Sequence, residues 1–214
     1  MTCFAWCGAS LEGMAATARF CGRKCRQSAF RVRQRRELVG TAPGEPGRFA
    51  YADPPYPGWA HKLYRDEDSY AGEVDHVALV QQLVAGGYTG WALSTSSKTL
   101  REVLPLCPAG VRVAAWVKPI GVSTRTYGMH SAWEPVIVAG GRRRRPGRRD
   151  WLAAQPAKRG GTLPGRKPIA FCVWLFELLG MEPGDTLDDL FPGTGVVSRA
   201  WAELSAPQAA SLLQ

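Results

Sequence analysis

The sequence predicts an α/β domain built on a parallel sheet, preceded by a small N-terminal appendage. Three observations carry this expectation. From Phe49 onward, short apolar runs alternate with stretches of helical periodicity, the pattern of strands joined by crossover helices. A carboxylate and a glycine turn fall where two of those runs end, at Asp53 and at Gly193 to Gly195, the edge at which such sheets carry ligands. Finally, 214 residues with 45% hydrophobic content suffice for one core of ordinary size and an appendage too short for its own.

Residues 1–36 are rich in Cys, Arg and small side chains. Residues 37–47 include Gly40-Thr41-Ala42-Pro43-Gly44-Glu45-Pro46-Gly47, which suits neither helix nor ladder and reads as a linker. The main domain is expected over 48–214. It opens with a strand from Phe49 to Asp53, followed by a helix over Val74 to Val84 and a strand over Gly90 to Ser94. Lys98 to Leu106 predicts a second helix, stopped by Pro108. Val111 to Val117 is a near-continuous apolar strand closing at Lys118-Pro119, and Glu134 to Ala139 reads as its hairpin-related neighbour. Residues 140–166 break the rhythm with Arg142-Arg143-Arg144-Arg145-Pro146-Gly147-Arg148-Arg149, a lone Trp151 and several glycines, and read as a basic loop suited to target recognition. Regularity returns with an amphipathic helix over Ile169 to Leu179, a strand over Thr186 to Phe191 and a helix over Val196 to Leu204.

The net charge is +9, and Arg23 to Arg36 together with Arg142 to Arg149 hold most of the excess. Clusters of this kind suit a phosphate backbone, which makes Arg142, Arg143, Arg144 and Arg145 candidate nucleic-acid contacts. No apolar run reaches membrane-spanning length and no signal-peptide pattern opens the chain, so the expectation is a cytoplasmic protein with no membrane partner.

Asp53-Pro54-Pro55-Tyr56 is the strongest chemical signal. An exocyclic amine conjugated to a base ring is a poor nucleophile, because its lone pair is delocalised into the ring. Methylating it requires acceptors that favour a localised, tetrahedral nitrogen. Asp53 supplies one acceptor and the Pro54 carbonyl another, the prolines fix the turn, and Tyr56 offers a π face for a base held outside the duplex. The second signal is Asp189-Leu190-Phe191-Pro192-Gly193-Thr194-Gly195, a strand-to-helix turn that lets backbone approach a cofactor closely. A third glycine and an acidic residue about 20 positions on, expected of a dinucleotide site, are missing, which disfavours NAD.

Together these motifs resemble the amino-methyltransferases of DNA, over about Phe49 to Leu204, and their order is similar to the permuted β group of that family. The resemblance implies a reduced Rossmann-like sheet that binds S-adenosylmethionine (SAM). It also implies methylation of an exocyclic base amine, adenine N6 above cytosine because the motif starts with Asp. Asp53, Pro54, Pro55 and Tyr56 carry over as catalytic residues. Lys167 and Pro168, ahead of the Ile169 helix, carry over to the cofactor side together with Asp189, Phe191, Gly193 and Gly195. The chain runs only 19 residues beyond Gly195, with no clear strand to carry the usual ribose-binding acid, so Asp188 or Glu203 is a candidate for that role, or ribose contacts are weak, or the enzyme is an abbreviated and impaired one. An RNA adenine methyltransferase and a catalytically inactive nucleic-acid-binding protein are the alternatives.

Of six cysteines, four form the pattern Cys3-x3-Cys7-x13-Cys21-x3-Cys25. Two thiolate pairs on separate turns suit tetrahedral Zn²⁺, which would replace the core that so few residues cannot build; a pair of disulfides is the alternative. The segment resembles short treble-clef-like zinc modules and implies a structural Zn²⁺ followed by a basic helix over Arg23 to Arg36. Cys107 and Cys172 read as small buried hydrophobes. His61 is a candidate for the cleft wall and His76 for the surface. Ser94-Thr95-Ser96-Ser97 faces the cleft or caps a helix. Trp133-Glu134-Pro135 stands where related enzymes place a polar residue near the cofactor.

Overall fold

The computed structural model describes residues 45–58, 72–119, 131–142, 147–157 and 166–206. Cys3, Cys7, Cys21, Cys25, His61, Arg143, Arg144 and Arg145 lie outside the described residues. The elements are β1 (Arg48–Ala52), α1 (His76–Ala85), β2 (Gly90–Ser94), α2 (Leu100–Val103) with a 3-10 turn at Leu104–Leu106, β3 (Arg112–Val117), β4 (Trp133–Gly140), β5 (Trp151–Ala153), α3 (Ile169–Leu179), β6 (Thr186–Asp189) and α4 (Val196–Ser205). They form a mixed α/β sheet of six strands in the order β5-β3-β4-β2-β1-β6. β1 runs parallel to β2 and β6, and β3 runs parallel to β5. Only β4 is reversed, pairing antiparallel with both β3 and β2. The C-terminal ends of the other five strands therefore share one edge of the sheet with the start of β4. Among the described residues no helix is long and apolar enough to cross a membrane.

Strand alternation divides the core into two layers. Phe49, Tyr51, Trp116 and Val136 face α3 and α4, where they pack with Phe171, Leu175 and Val197. Ala50, Ala52, Leu93 and Ile137 face the other way, toward Leu79, Val80 and Leu83 of α1. Asp75 starts α1 by accepting from the backbone N–H groups of Val77 and Ala78 at 2.9 and 3.0 Å, an N-cap that satisfies two otherwise orphaned donors.

Four local expectations are corrected. The second helix gives way to a 3-10 turn after Val103, because Pro105 has no N–H for the α-helical ladder. α3 has the expected bounds but is buried on most sides, not amphipathic: Phe171, Cys172, Trp174, Leu175, Phe176 and Leu179 are all enclosed. Its outer side is covered too, where Trp174 Nε1 donates to the Arg149 carbonyl at 3.0 Å. That bond belongs to a third correction, since the basic loop contains β5, in which Trp151 pairs with Ala115 at the sheet edge. Three residues are too few for a periodic signal. Last, His76 is buried, with its Nδ1 2.9 Å from the Val74 carbonyl.

Candidate active site

The alternation that builds the core also builds the site. Continuing Phe49 and Tyr51 by one step brings Asp53 onto the α3 face, just past the end of β1. Lys118 follows Ala114 and Trp116 in the same way, and Glu134 precedes Val136. Three charged side chains thus converge beneath the N-terminus of α3, where the chain supplies a fourth, Lys167. Its ammonium is 2.8 Å from Asp53 Oδ2 and 3.3 Å from Glu134 Oε2. Glu134 also takes a hydrogen bond from Lys118. Trp116 walls the group off, with the Lys118 and Lys167 nitrogens 4.8 and 5.3 Å from its ring, and Phe171 lies 5.6 Å from Lys167.

A buried ammonium survives only beside compensating charge. Burial works to discharge Lys167, but Asp53, with Tyr51, Tyr56 and Glu134, holds it well above the ordinary lysine range. Glu134 shows the complementary balance: burial pushes it up, while Lys167 and Lys118 bring it below the ordinary glutamate range. Burial also keeps the Tyr51 and Tyr56 hydroxyls protonated far into the alkaline range. Tyr51 shares a 2.8 Å hydrogen bond with Ser94. The sequence assigns Lys167 to the cofactor side, whereas the geometry brings it to the carboxylate of the catalytic motif. Pro54 is buried, while Asp53, Pro55 and Tyr56 are half-buried.

The glycine turn lies next along this edge. β6 pairs with β1 so that Asp189 stands beside Tyr51, on the α3 face. Ser198 of α4 donates to its Oδ2 at 2.7 Å, and its Oδ1 is buried with no hydrogen-bond partner. Burial, with Asp53 adding to it, raises this carboxyl above the ordinary aspartate range. Gly193 and Gly195 have φ of 48° and 67°, a left-handed region that side chains avoid. A Cβ on Gly193 would meet only the Phe191 carbonyl at 4.0 Å, whereas one on Gly195 would meet the Arg199 guanidinium at 2.8 Å, so the turn is open at Gly193. An orphaned buried carboxylate oxygen beside an open glycine cradle fits the amine end of an amino-acid-bearing cofactor such as SAM. Phe191 packs instead against the α1 layer of the core.

Other candidates are placed elsewhere. Asp188 points to the opposite face, held by Arg48 at 2.5 Å and by the Tyr88 hydroxyl at 3.0 Å, which commits it to the sheet and removes it as a ribose acceptor. Ser96 and Thr99 bond to one another at the start of α2, so the serine-rich turn serves local structure. Arg142 departs from the expected phosphate contact. It follows the C-terminal end of β4, at the opposite end of β1 from Asp53, roughly 17 Å away along five residues of strand. There Asp185 grips it through both carboxylate oxygens, at 2.5 and 2.8 Å, and it donates to the Glu45 carbonyl at 2.7 Å. Cys172 is buried in α3, its thiol pushed up to about 12 by desolvation. Among the described residues no group of three or more His, Cys, Asp or Glu side chains is arranged to hold a metal ion.

Sequence reasoning missed the pairing of Lys167 with Asp53 and the role of Lys118. A signal existed: each is a lysine followed by proline at the border of an otherwise apolar element, Lys118 after Val113 to Val117 and Lys167 before Ile169 to Leu175.

No family model and no curated protein sequence matches the chain. Solved structures do. The structure of the M1.HpyAVI-SAM complex aligns over 82% of this chain and 86% of its own, with a TM-score of 0.51 at 17% identity. A structure of M1.HpyAVI alone aligns over 83% and 84%, with a TM-score of 0.50 at 16% identity. At such identity the likeness concerns architecture: the chain has the fold of M1.HpyAVI, a mixed α/β sheet with its candidate site at the edge where β1 and β6 end.

Proposed function

We propose that the protein is a SAM-dependent DNA methyltransferase acting on an exocyclic base amine, adenine N6 in particular. The observation that carries this reading is the shared edge: the Asp53 turn ends β1, and the orphaned Asp189 oxygen with its glycine cradle ends the neighbouring β6. A methyl acceptor held at the first and a donor held at the second would lie side by side. M1.HpyAVI, with the same fold, holds SAM in its complex, which supports that cofactor here.

When bound, SAM supplies an electrophilic methyl group and a neutral thioether leaving group. The chain's own residues do the rest. Asp189 would accept from the cofactor's amine, and the backbone of Gly193 to Gly195, with Pro168, would help to hold it. Asp53 accepts a hydrogen bond from the base amine and the Pro54 carbonyl a second, localising the nitrogen lone pair along the line of attack. Pro55 stiffens the turn and Tyr56 stacks on the base. Holding both reactants in this geometry is the main source of rate.

The four cysteines Cys3, Cys7, Cys21 and Cys25 are proposed to hold a structural Zn²⁺, with no part in the transfer, and metal analysis of the isolated protein is the check. Arg143, Arg144 and Arg145 are the proposed phosphate contacts, and the proposed location is the cytoplasm.

Transfer of labelled methyl from SAM to DNA and RNA oligonucleotides, followed by nucleoside analysis, tests the reading. N6-methyladenine in DNA is the expected product. Asp53→Ala should lower transfer by about a hundredfold or more while SAM binding, followed by calorimetry, stays nearly intact. Label in RNA alone would reassign the substrate, and DNA binding without any heat of SAM binding would leave an inactive nucleic-acid-binding protein.

A further inference from the structure

Lys167 stands where the fold alone has no use for a cation. It immediately precedes Pro168, the N-cap of α3, and a positive charge at a helix N-terminus opposes the helix dipole. Its side chain is only 6% exposed, so the ammonium has also given up its water. Buried ion pairs are often no more stable than apolar side chains of the same volume. Yet this one is firmly held. The ammonium is 2.8 Å from Asp53 Oδ2 and 3.3 Å from Glu134 Oε2, with the Trp116 and Phe171 rings at 5.3 and 5.6 Å. Glu134 is fixed in turn, because its other oxygen, Oε1, accepts from Lys118. A charge that works against both helix and core, and is nonetheless held from several sides, has its use at the carboxylate it touches.

We propose that Lys167 is a positioning residue for the transfer: it holds Asp53 by Oδ2 and so presents the other oxygen, Oδ1, to the base amine. This rests on the reading of Asp53 as the acceptor of that amine. The Asp53 side chain is 27% exposed against 6% for Lys167, so the lysine lies behind the carboxylate and the open side is left to the base. An aspartate on a turn swings about two side-chain torsions. A salt bridge to an ammonium that is itself enclosed suppresses both before substrate arrives, and orientation set in advance is what an in-line transfer needs. The assignment differs from that of a lysine serving the cofactor. Among the described residues Lys167 forms its ion pairs with Asp53 and Glu134, whereas the orphaned oxygen proposed to receive SAM belongs to Asp189, at the end of another strand.

Lys167→Met keeps an unbranched stem and removes the charge. The expected result is a fall in kcat of roughly 10- to 100-fold, the scale of a misplaced reacting group, with the SAM dissociation constant by calorimetry changed less than about twofold. A lysine serving the cofactor would give the reverse split, weaker SAM binding with kcat kept at saturating SAM. One that only supports the fold would lower the melting temperature and leave kcat per folded molecule unchanged. Either outcome overturns the proposal. Coupling adds a second readout: in an Asp53→Ala background Lys167→Met should lower kcat little further, because the lysine acts through that carboxylate, and a full additional loss overturns it as well. Should Lys167→Met fail to fold, Lys167→Gln decides, since it offers Asp53 a neutral donor. A smaller fall in kcat at unchanged SAM affinity is expected there, and wild-type kcat overturns the proposal. Transfer by the parent protein with an indifferent Lys167 sinks the positioning role alone, whereas no transfer by the parent sinks the functional reading with it.

Discussion

Two aspartates bracket the same strand, β6, and their surroundings are opposites. Asp185, just before it, accepts four hydrogen bonds: from the Gly47 and Glu182 backbone and twice from Arg142. Burial would raise its carboxyl, but Arg142 and the two N–H groups hold it below the ordinary range. Asp189, the last residue of β6, is bonded by the Ser198 hydroxyl and keeps one buried oxygen with no partner. A carboxylate whose acceptor sites are filled by its own chain contributes to folding. One left partly empty lowers stability and is ready for a ligand.

The contrast is sharpest if each residue is removed. Asp185→Ala leaves the half-buried Arg142 without its carboxylate and the Gly47 and Glu182 N–H groups without their acceptor, and should cost about 2–4 kcal/mol, a fall in melting temperature on the order of 10 °C, with methyl transfer per folded molecule retained. Loss of transfer without loss of stability would break the distinction. Asp189→Asn should do the reverse, weakening SAM binding by about 1.5–3 kcal/mol without destabilising the protein. Here pH gives a second test. Folded Asp189 keeps its proton to higher pH than the unfolded chain does, so it costs stability as pH rises through its raised range. Thermal unfolding should therefore show Asp189→Asn gaining on the parent from pH 4 to pH 7, and a constant difference would count against a strained carboxyl. The smallest effect concerns the arginines. With Arg142 held by Asp185, replacing Arg143, Arg144 and Arg145 by Ala should leave stability within about 0.5 kcal/mol. Every arginine that neutralises a phosphate adds about 0.9 to the slope of log affinity against log salt on duplex DNA, so its replacement should flatten that slope by the same amount. A salt titration that returns the parent slope would remove these residues from the interface.

Much of this is legible in the sequence, for identifiable reasons. β1, β2 and β3 announce themselves as apolar runs, and α3 has the bounds its composition predicts, because local pattern and burial agree there. The chemistry at Asp53 and Asp189 is legible because turn residues follow strand ends. Partnership across the sheet is not. Nothing in the Arg142-to-Arg149 run shows that its first member is claimed by an aspartate 43 residues away, and β5 is too short to be periodic. Nor does Lys167-Pro168 reveal its tie to Asp53, which depends on β4 entering the sheet reversed and bringing Glu134 to the same edge. Such pairings follow from topology, which local pattern does not encode.

Among the described residues β6 is an outermost strand, which has a bearing on how copies of the protein meet. A strand with a neighbour on one side only offers its free backbone groups to any other extended chain, which is how aggregation starts. β6 is four residues long and ends in Asp188 and Asp189. Two such edges laid together would crowd four carboxylates into one short ladder. The strand that carries the proposed cofactor acceptor thereby resists recruiting its own twin, and Asp189 serves both that resistance and the proposed ligand site.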